Sequence, residues 1–354
     1  SVARNPKTSA ETLQQLAKND RWLVSYAVAG NPNTPAKALQ QLAQYKDEDI
    51  RKRVAAHPNT PAETLQQLAE DWSVRKRVAE NSNTPAEALQ QLAQHKDWDV
   101  RERVAAHPNT PAETLQQLAE DEDIRKRVAG NANTPAETLQ QLAQDEKAHN
   151  EEYGVRLSVA GNPNTSAETL QQLAQDEKAH NEEYGVRLSV AEHPNTPADT
   201  LQQLAQHEED SVRYCVAGNP NTPADTLQEL AKDEDSGVRE SVAENPNTSV
   251  EILQQLYLDE LWEVFYAVAG NPNTPVDILQ EIAGNDFGLT LLAVAGNPNT
   301  PAETLQKLAE DEDQYDEGWE VFLAVAENPN TPAETLQQLA QYENLDVRKA
   351  ADRA

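Results

Sequence analysis

The chain has 354 residues, with 29 basic and 60 acidic side chains and a formal net charge of −31. That field keeps a long chain soluble, disfavours non-specific contact with nucleic acid or anionic lipid, and would attract a basic protein or peptide. Cys215 is the only cysteine, which excludes an intramolecular disulfide and a thiolate cluster, and no run reaches the length of a transmembrane span.

A repeated phrase overrides the expectation that a chain of this length divides into domains. Variants of Asn-Pro-Asn-Thr-Pro-Ala-Glu-Thr-Leu-Gln-Gln-Leu-Ala begin at Asn5, Asn31, His57, Asn81, His107, Asn131, Asn162, His193, Asn219, Asn245, Asn271, Asn297 and Asn328. The steps between them are 26, 26, 24, 26, 24, 31, 31, 26, 26, 26, 26 and 31, which is a 24-residue repeat with loop insertions of two or seven. The stretch 143–160 recurs at 174–191, as a duplication of one whole repeat would leave it. The chain begins within a repeat and contains no methionine, and it is read as a fragment or processed form. A cytoplasmic location is the default expectation for it.

Each repeat predicts two short helices. The first runs as in Asp99-Val100-Arg101-Glu102-Arg103-Val104-Ala105, with Asp99 expected as its N-cap and Asp49, Ser73, Asp123 and Ser211 in the same role. Pro108 ends it, and Gly30, Gly130, Gly161 and Gly218 suit a left-handed C-terminal cap. The second helix follows Thr60-Pro61-Ala62-Glu63, where Thr60 is the expected N-cap and Glu63 completes a capping box. Ala62, Leu65, Leu68 and Ala69 then form an apolar stripe, and Gln66 and Gln67 fall outside it on solvated surface. Helices this short do not persist alone in water, so each repeat must bury its stripe against its neighbours. The expectation is an all-α, two-layer helical solenoid of about thirteen repeats spanning 1–354 as one domain, without β-sheet.

Trp22, Trp72, Trp98, Trp262 and Trp319 share one place in the repeat, with Tyr153 and Tyr184 there in the duplicated copies. They are expected just before the N-cap as staples, with Arg77 and Arg103 as cation–π partners for two of them. His57, His107 and His193 replace the turn asparagine and are read as bonding the turn. No histidine pair stands at metal-ligand spacing, His149 and His180 are copies of one loop residue, and acidic runs such as 310–313 lack the pattern of a calcium loop. Cys215 stands where other copies have Ala or Ser. No nucleophile lies in a catalytic context, so neither an enzyme nor a cofactor is expected.

The phrase from Val100 to Ala119, Val-Arg-x-x-Val-Ala followed by Asn- or His-Pro-Asn-Thr-Pro and Leu-x-x-Leu-Ala, resembles the leucine-rich repeat variant family along the whole chain. The resemblance implies alternating α- and 3₁₀-helices stacked as a right-handed superhelix. It implies no activity. The cysteines that precede the repeats in one member and hold an iron–sulfur cluster have no counterpart here.

Within the first helix, the three places after the opening apolar residue change along the chain. Early copies read Arg51-Lys52-Arg53, Arg75-Lys76-Arg77, Arg101-Glu102-Arg103 and Arg125-Lys126-Arg127. Later ones become Phe265-Tyr266-Ala267, Leu291-Leu292-Ala293 and Phe322-Leu323-Ala324. Two readings stay open. In one, the arginines pair with the chain's own acidic loops and the later apolar residues fill the core. In the other, the arginines form a groove for an acidic peptide, and Trp262, Phe265, Tyr266, Leu292 and Phe322 form an apolar patch for a second partner. The function expected is a non-catalytic protein- or peptide-binding scaffold, against an architectural spacer without a specific ligand. Nucleic acid fits poorly in so acidic a surround, and the incomplete last repeat leaves end-to-end self-association open.

Overall fold

In the computed structural model the described residues are 2–144, 152–175, 184–284, 288–310 and 319–354. They form α-helices and two short 3₁₀ turns, with no strand among them. The chain divides into two compact bodies, Ser1–Leu173 and Ala174–Ala354. Each body has the same two layers. First helices such as Glu48–Ala56, Arg75–Glu80 and Trp98–Ala106 pack in sequence on one side, and second helices such as Ala62–Leu68, Ala86–Ala93 and Ala112–Leu118 on the other. In the second body, Asp210–Gly218, Ser236–Glu244 and Trp262–Gly270 continue the pattern.

The core follows the predicted stripe except at Ala62, which is exposed while Thr64 is buried instead. Val54, Ala55, Leu65 and Leu68, with their equivalents, are buried between the layers. Each such leucine contributes about 1.5–3 kcal/mol on burial, which a seven-residue helix gains only by stacking.

Between repeats runs a buried polar ladder. Asn81 Nδ2 donates to Ala55 O at 2.6 Å and His57 O at 3.0 Å, in the preceding repeat, while Asn81 Oδ1 accepts from Asn83 N at 3.0 Å. Asn245 does the same to Ala217 O and Asn219 O in the second body. His57 and His107 keep the ladder with one rung fewer. His107 Nδ1 accepts from Asn109 N and Nε2 bonds Asn81 O at 2.8 Å, so Nε2 carries the proton. An orphaned buried amide or carbonyl costs about 1–3 kcal/mol, and each asparagine rung meets two such carbonyls, each of His57 and His107 one.

Four local expectations are corrected. The first helices are capped two residues earlier than predicted: Asp47 accepts from Asp49 N and Ile50 N, Asp97 from Asp99 N, and Asp121 from Asp123 N. Ser73 and Ser211 are likewise not caps; Val74 and Glu209 hold those places without a side-chain bond. Thr60 does not cap its second helix. Its hydroxyl donates back to Val54 O at 2.5 Å, adding a second bond to a carbonyl that also accepts from His57 N at 3.0 Å. Pro61 occupies the cap, and where serine replaces the proline, Ser9 and Ser249 accept from Thr12 N and Ile252 N. The glycines after the first helices have no left-handed backbone; Gly30 has φ −101°. A Cβ at Gly30 would meet only the end of the flexible Arg53 side chain, which can shift aside. Finally, Trp22, Trp98, Trp262 and Trp319 are the first residues of their helices, and the first three stand one place after the caps Arg21, Asp97 and Leu261.

Candidate peptide-binding face

The first of the three variable places is a stitch between repeats. Arg101 Nη1 donates to His95 O at 2.9 Å and Lys96 O at 3.0 Å, carbonyls in the loop that leads into its own helix, and Nε donates to Asp121 at 2.7 Å. Asp121 lies twenty residues on and caps the next first helix with its other oxygen. Arg51 makes the same bonds to Tyr45 O, Lys46 O and Asp71. In the second body Arg213 and Arg239 grip Asp233 and Asp259 through two nitrogens each. The Arg239 hydrogen bond holds the Asp259 carboxyl below the usual carboxylate range against the opposing effect of burial. At Asp71, burial is the largest effect and raises the carboxyl, but bonds from Ser73 and Arg51 outweigh it and leave it lowered. Arg51, Arg101, Arg213 and Arg239 thus bond the chain's own loop carbonyls and aspartates, the arrangement that the first of the two readings describes.

The third place faces the preceding first helix, and each early arginine there finds a partner. Arg53 donates to Tyr26 Oη at 2.8 Å with its guanidinium carbon 3.8 Å from the Tyr26 ring centre, and Trp22 stacks on the same ring at 4.8 Å. This is the cation–π contact of the early repeats; the expected ones at Arg77 and Arg103 are instead ion pairs. Arg77 meets Glu80 at 2.9 Å, Arg103 meets that same carboxylate, and Arg127 meets Glu102 at 2.9 Å. Lys76 bonds Asp99 and Asp97, raising the lysine and lowering Asp99. The stripe is an interleaved charge ladder rather than a bare basic groove.

The order breaks at the repeat that starts with Trp72. Its loop is two residues shorter, its first helix begins only at Arg75, and Trp72 is left in the turn before it, 79% exposed. Trp72, Arg75, Lys76, Arg77, His95 and Arg103 line a groove of about 590 Å³. Arg75 bonds Ala69 O and Glu70 O like its equivalents, but twenty residues on stands His95, whose Nε2 is 2.6 Å from Arg75 Nη1. Among the described residues no carboxylate pairs with this arginine. Arg125 makes the usual carbonyl bond, to Ala119 O at 3.1 Å.

In the later repeats the stitch changes chemistry. Phe322 takes the arginine's place and packs on Tyr342, twenty residues on, with ring centres 4.9 Å apart. Phe322 is 2% exposed, so it belongs to the core and is withdrawn from the predicted surface patch. Phe265 is half-buried and stacks on Tyr257 at 5.4 Å; Tyr266 and Leu292 are half-buried. Trp262 is exposed, beside the exposed Leu258 and Leu261, which the sequence reading missed.

Burial first, and Glu192 second, push the Cys215 thiol up to about 12; it is a donor to that carboxylate and a poor nucleophile. Among the described residues no group of three or more His, Cys, Asp or Glu is placed to hold a metal ion, and no helix is long and apolar enough to cross a membrane. His149, His180, the acidic run 311–313 and the side chains of Tyr153 and Tyr184 lie outside the described residues. The sequence reading did not single out His95; its signal was the missing Asp twenty residues after Arg75.

The sequence model of the leucine-rich repeat variant family matches residues 98–123, 153–178 and 184–209. Among solved structures, the chain is similar to one described as a leucine-rich repeat variant with a novel repetitive protein structural motif. Identity is 28%, over 64% of this chain and 88% of that one, with TM-score 0.43. It is also similar to importin beta crystallised in an ammonium sulfate condition, at 14% identity and TM-score 0.30. That match covers 97% of this chain and about half, 51%, of the other. No curated protein matches the chain.

Proposed function

We propose, for a chain whose matched segments are leucine-rich repeat variant repeats, a non-catalytic scaffold that binds a protein or peptide on the first-helix face of its early repeats. The observation that carries this reading is Trp72, 79% exposed on the wall of a 590 Å³ groove. Leaving an indole in water forgoes about 2–3 kcal/mol that a partner would recover. Tryptophan and arginine are the side chains most enriched at the energetic centres of protein contacts. The ion pairs around Trp72 do not oppose this, because exposed pairs hold about 0–1 kcal/mol each and exchange readily for a partner's groups. Trp262, Leu258 and Leu261 supply a second exposed apolar cluster, in the other body.

The alternative, an architectural spacer, is favoured by the partnering of Arg53, Arg77, Arg103 and Arg127 within the chain. Immobilised wild-type chain is expected to retain a protein from the source lysate that a Trp72→Ser chain, with unchanged circular dichroism, does not. Retention by neither bait would support the spacer.

A further inference from the structure

The stitch is complete wherever an aspartate faces the arginine twenty residues before it, as at Arg51–Asp71, Arg101–Asp121, Arg213–Asp233 and Arg239–Asp259. At Arg75 it is incomplete. The guanidinium is half-buried, its bonds go to Ala69 O, Glu70 O and His95 Nε2, and none goes to an anion. His95 itself is crowded by donors, since its Nδ1 accepts from Asp97 N at 3.1 Å while Arg75 addresses Nε2. A neutral imidazole has one acceptor nitrogen, so it cannot satisfy both. Across the same groove, Arg77 and Arg103 share the single carboxylate of Glu80, and Arg103 Nε is buried without a partner. The groove is thus lined by Arg75, Arg77, Arg103, Lys52 and Lys76 against Glu48, Glu80 and Asp97, a positive balance in a chain whose net charge is −31. Trp72 stands exposed beside them.

We infer that this groove receives an acidic segment of a partner protein, whose carboxylate completes the Arg75 stitch in place of the absent aspartate while an apolar side chain packs on Trp72. The inference rests on the scaffold reading and names its partner's chemistry. Guanidinium and carboxylate match in geometry, and their charge-assisted bonds are roughly twice as strong as neutral ones. The occupant is a peptide carboxylate rather than a free anion, because the indole adds an apolar contact that a free anion does not use.

The probe is a fluorescein-labelled peptide of alternating glutamate and leucine, with an alternating lysine and leucine peptide as control, read by anisotropy at low salt. Wild-type chain is expected to bind the first and not the second. His95→Asp supplies the missing carboxylate from within, as in the neighbouring repeats. It is expected to weaken binding about tenfold or more while the thermal midpoint holds or rises. Trp72→Ser is expected to weaken it independently. Undiminished binding by His95→Asp, equal binding of the lysine peptide, or no binding of the glutamate peptide to wild type each overturns the inference. If that happens while Trp72-dependent retention from lysate persists, the scaffold reading stands and only the acidic occupant falls.

Discussion

The repeats around Arg239 and those around Phe322 solve the same problem with opposite chemistry. In both, the residue after the opening apolar position reaches a side chain twenty residues on, in the next repeat. At Arg239 the junction is a two-pronged ion pair to Asp259 whose arginine also closes Asp233 O and Glu234 O. At Phe322 it is an aromatic pair with Tyr342. The ionic junction is directional and satisfies loop carbonyls, but it carries a desolvation cost. The aromatic one is dry and insensitive to charge. A drift of surface character along the chain is therefore, at this place, a change in how repeats are joined.

The contrast breaks most sharply at the aromatic junction. Phe322→Ala is expected to lower stability by about 3–5 kcal/mol, read as a shift of the urea midpoint of the C-terminal body and unchanged by added salt. Arg239→Met is expected to cost less, about 2–3 kcal/mol, because Asp259 is left half-buried without its partner. Acidification separates the two further. The Asp259 and Asp233 carboxyls are held below their ordinary values, so the stability they add is present at neutral pH and is lost as pH falls below about 4, through their folded-state range. Asp259→Asn should flatten that acid limb, whereas Phe322→Leu should leave its shape alone; identical limbs would deny the ionic junction its role. The smallest effect is expected at Arg127→Ala, under about 1 kcal/mol, since that pair with Glu102 is exposed.

Much of the fold was legible because the phrase recurs thirteen times: proline marks one helix start, and Val, Leu and Ala mark the buried stripe. The roles of single polar residues were less so. Thr60 and Glu63 match a capping box in sequence, yet Pro61 holds the cap and the buried threonine hydroxyl turns back to Val54 O, which it shares with His57 N. Asp49 and Asp99 lost the cap to Asp47 and Asp97 because the first helix starts two residues earlier than its apolar periodicity suggests. The arginine stripe mixed two populations that only geometry separates. Arg51 and Arg101 point into the junction, while Arg53 and Arg103 point to the preceding helix. Phe322 was assigned to the surface because its place was basic elsewhere, and an apolar residue there simply moves inward.

The asparagine ladder also bears on how such a chain can be edited. Asn81 reaches carbonyls 26 and 24 residues back, whereas Asn162 and Asn328 reach 33 and 31 back, with the same bonds at the same lengths within a few tenths of an ångström. The rungs index one repeat against the last without reference to the loop between them. Loop length is thereby released from the geometry of stacking. Two residues can be removed before Trp72, or seven inserted between repeats, and the core does not register the change. The ladder works as a ruler for the helices, and it leaves the loops free to vary.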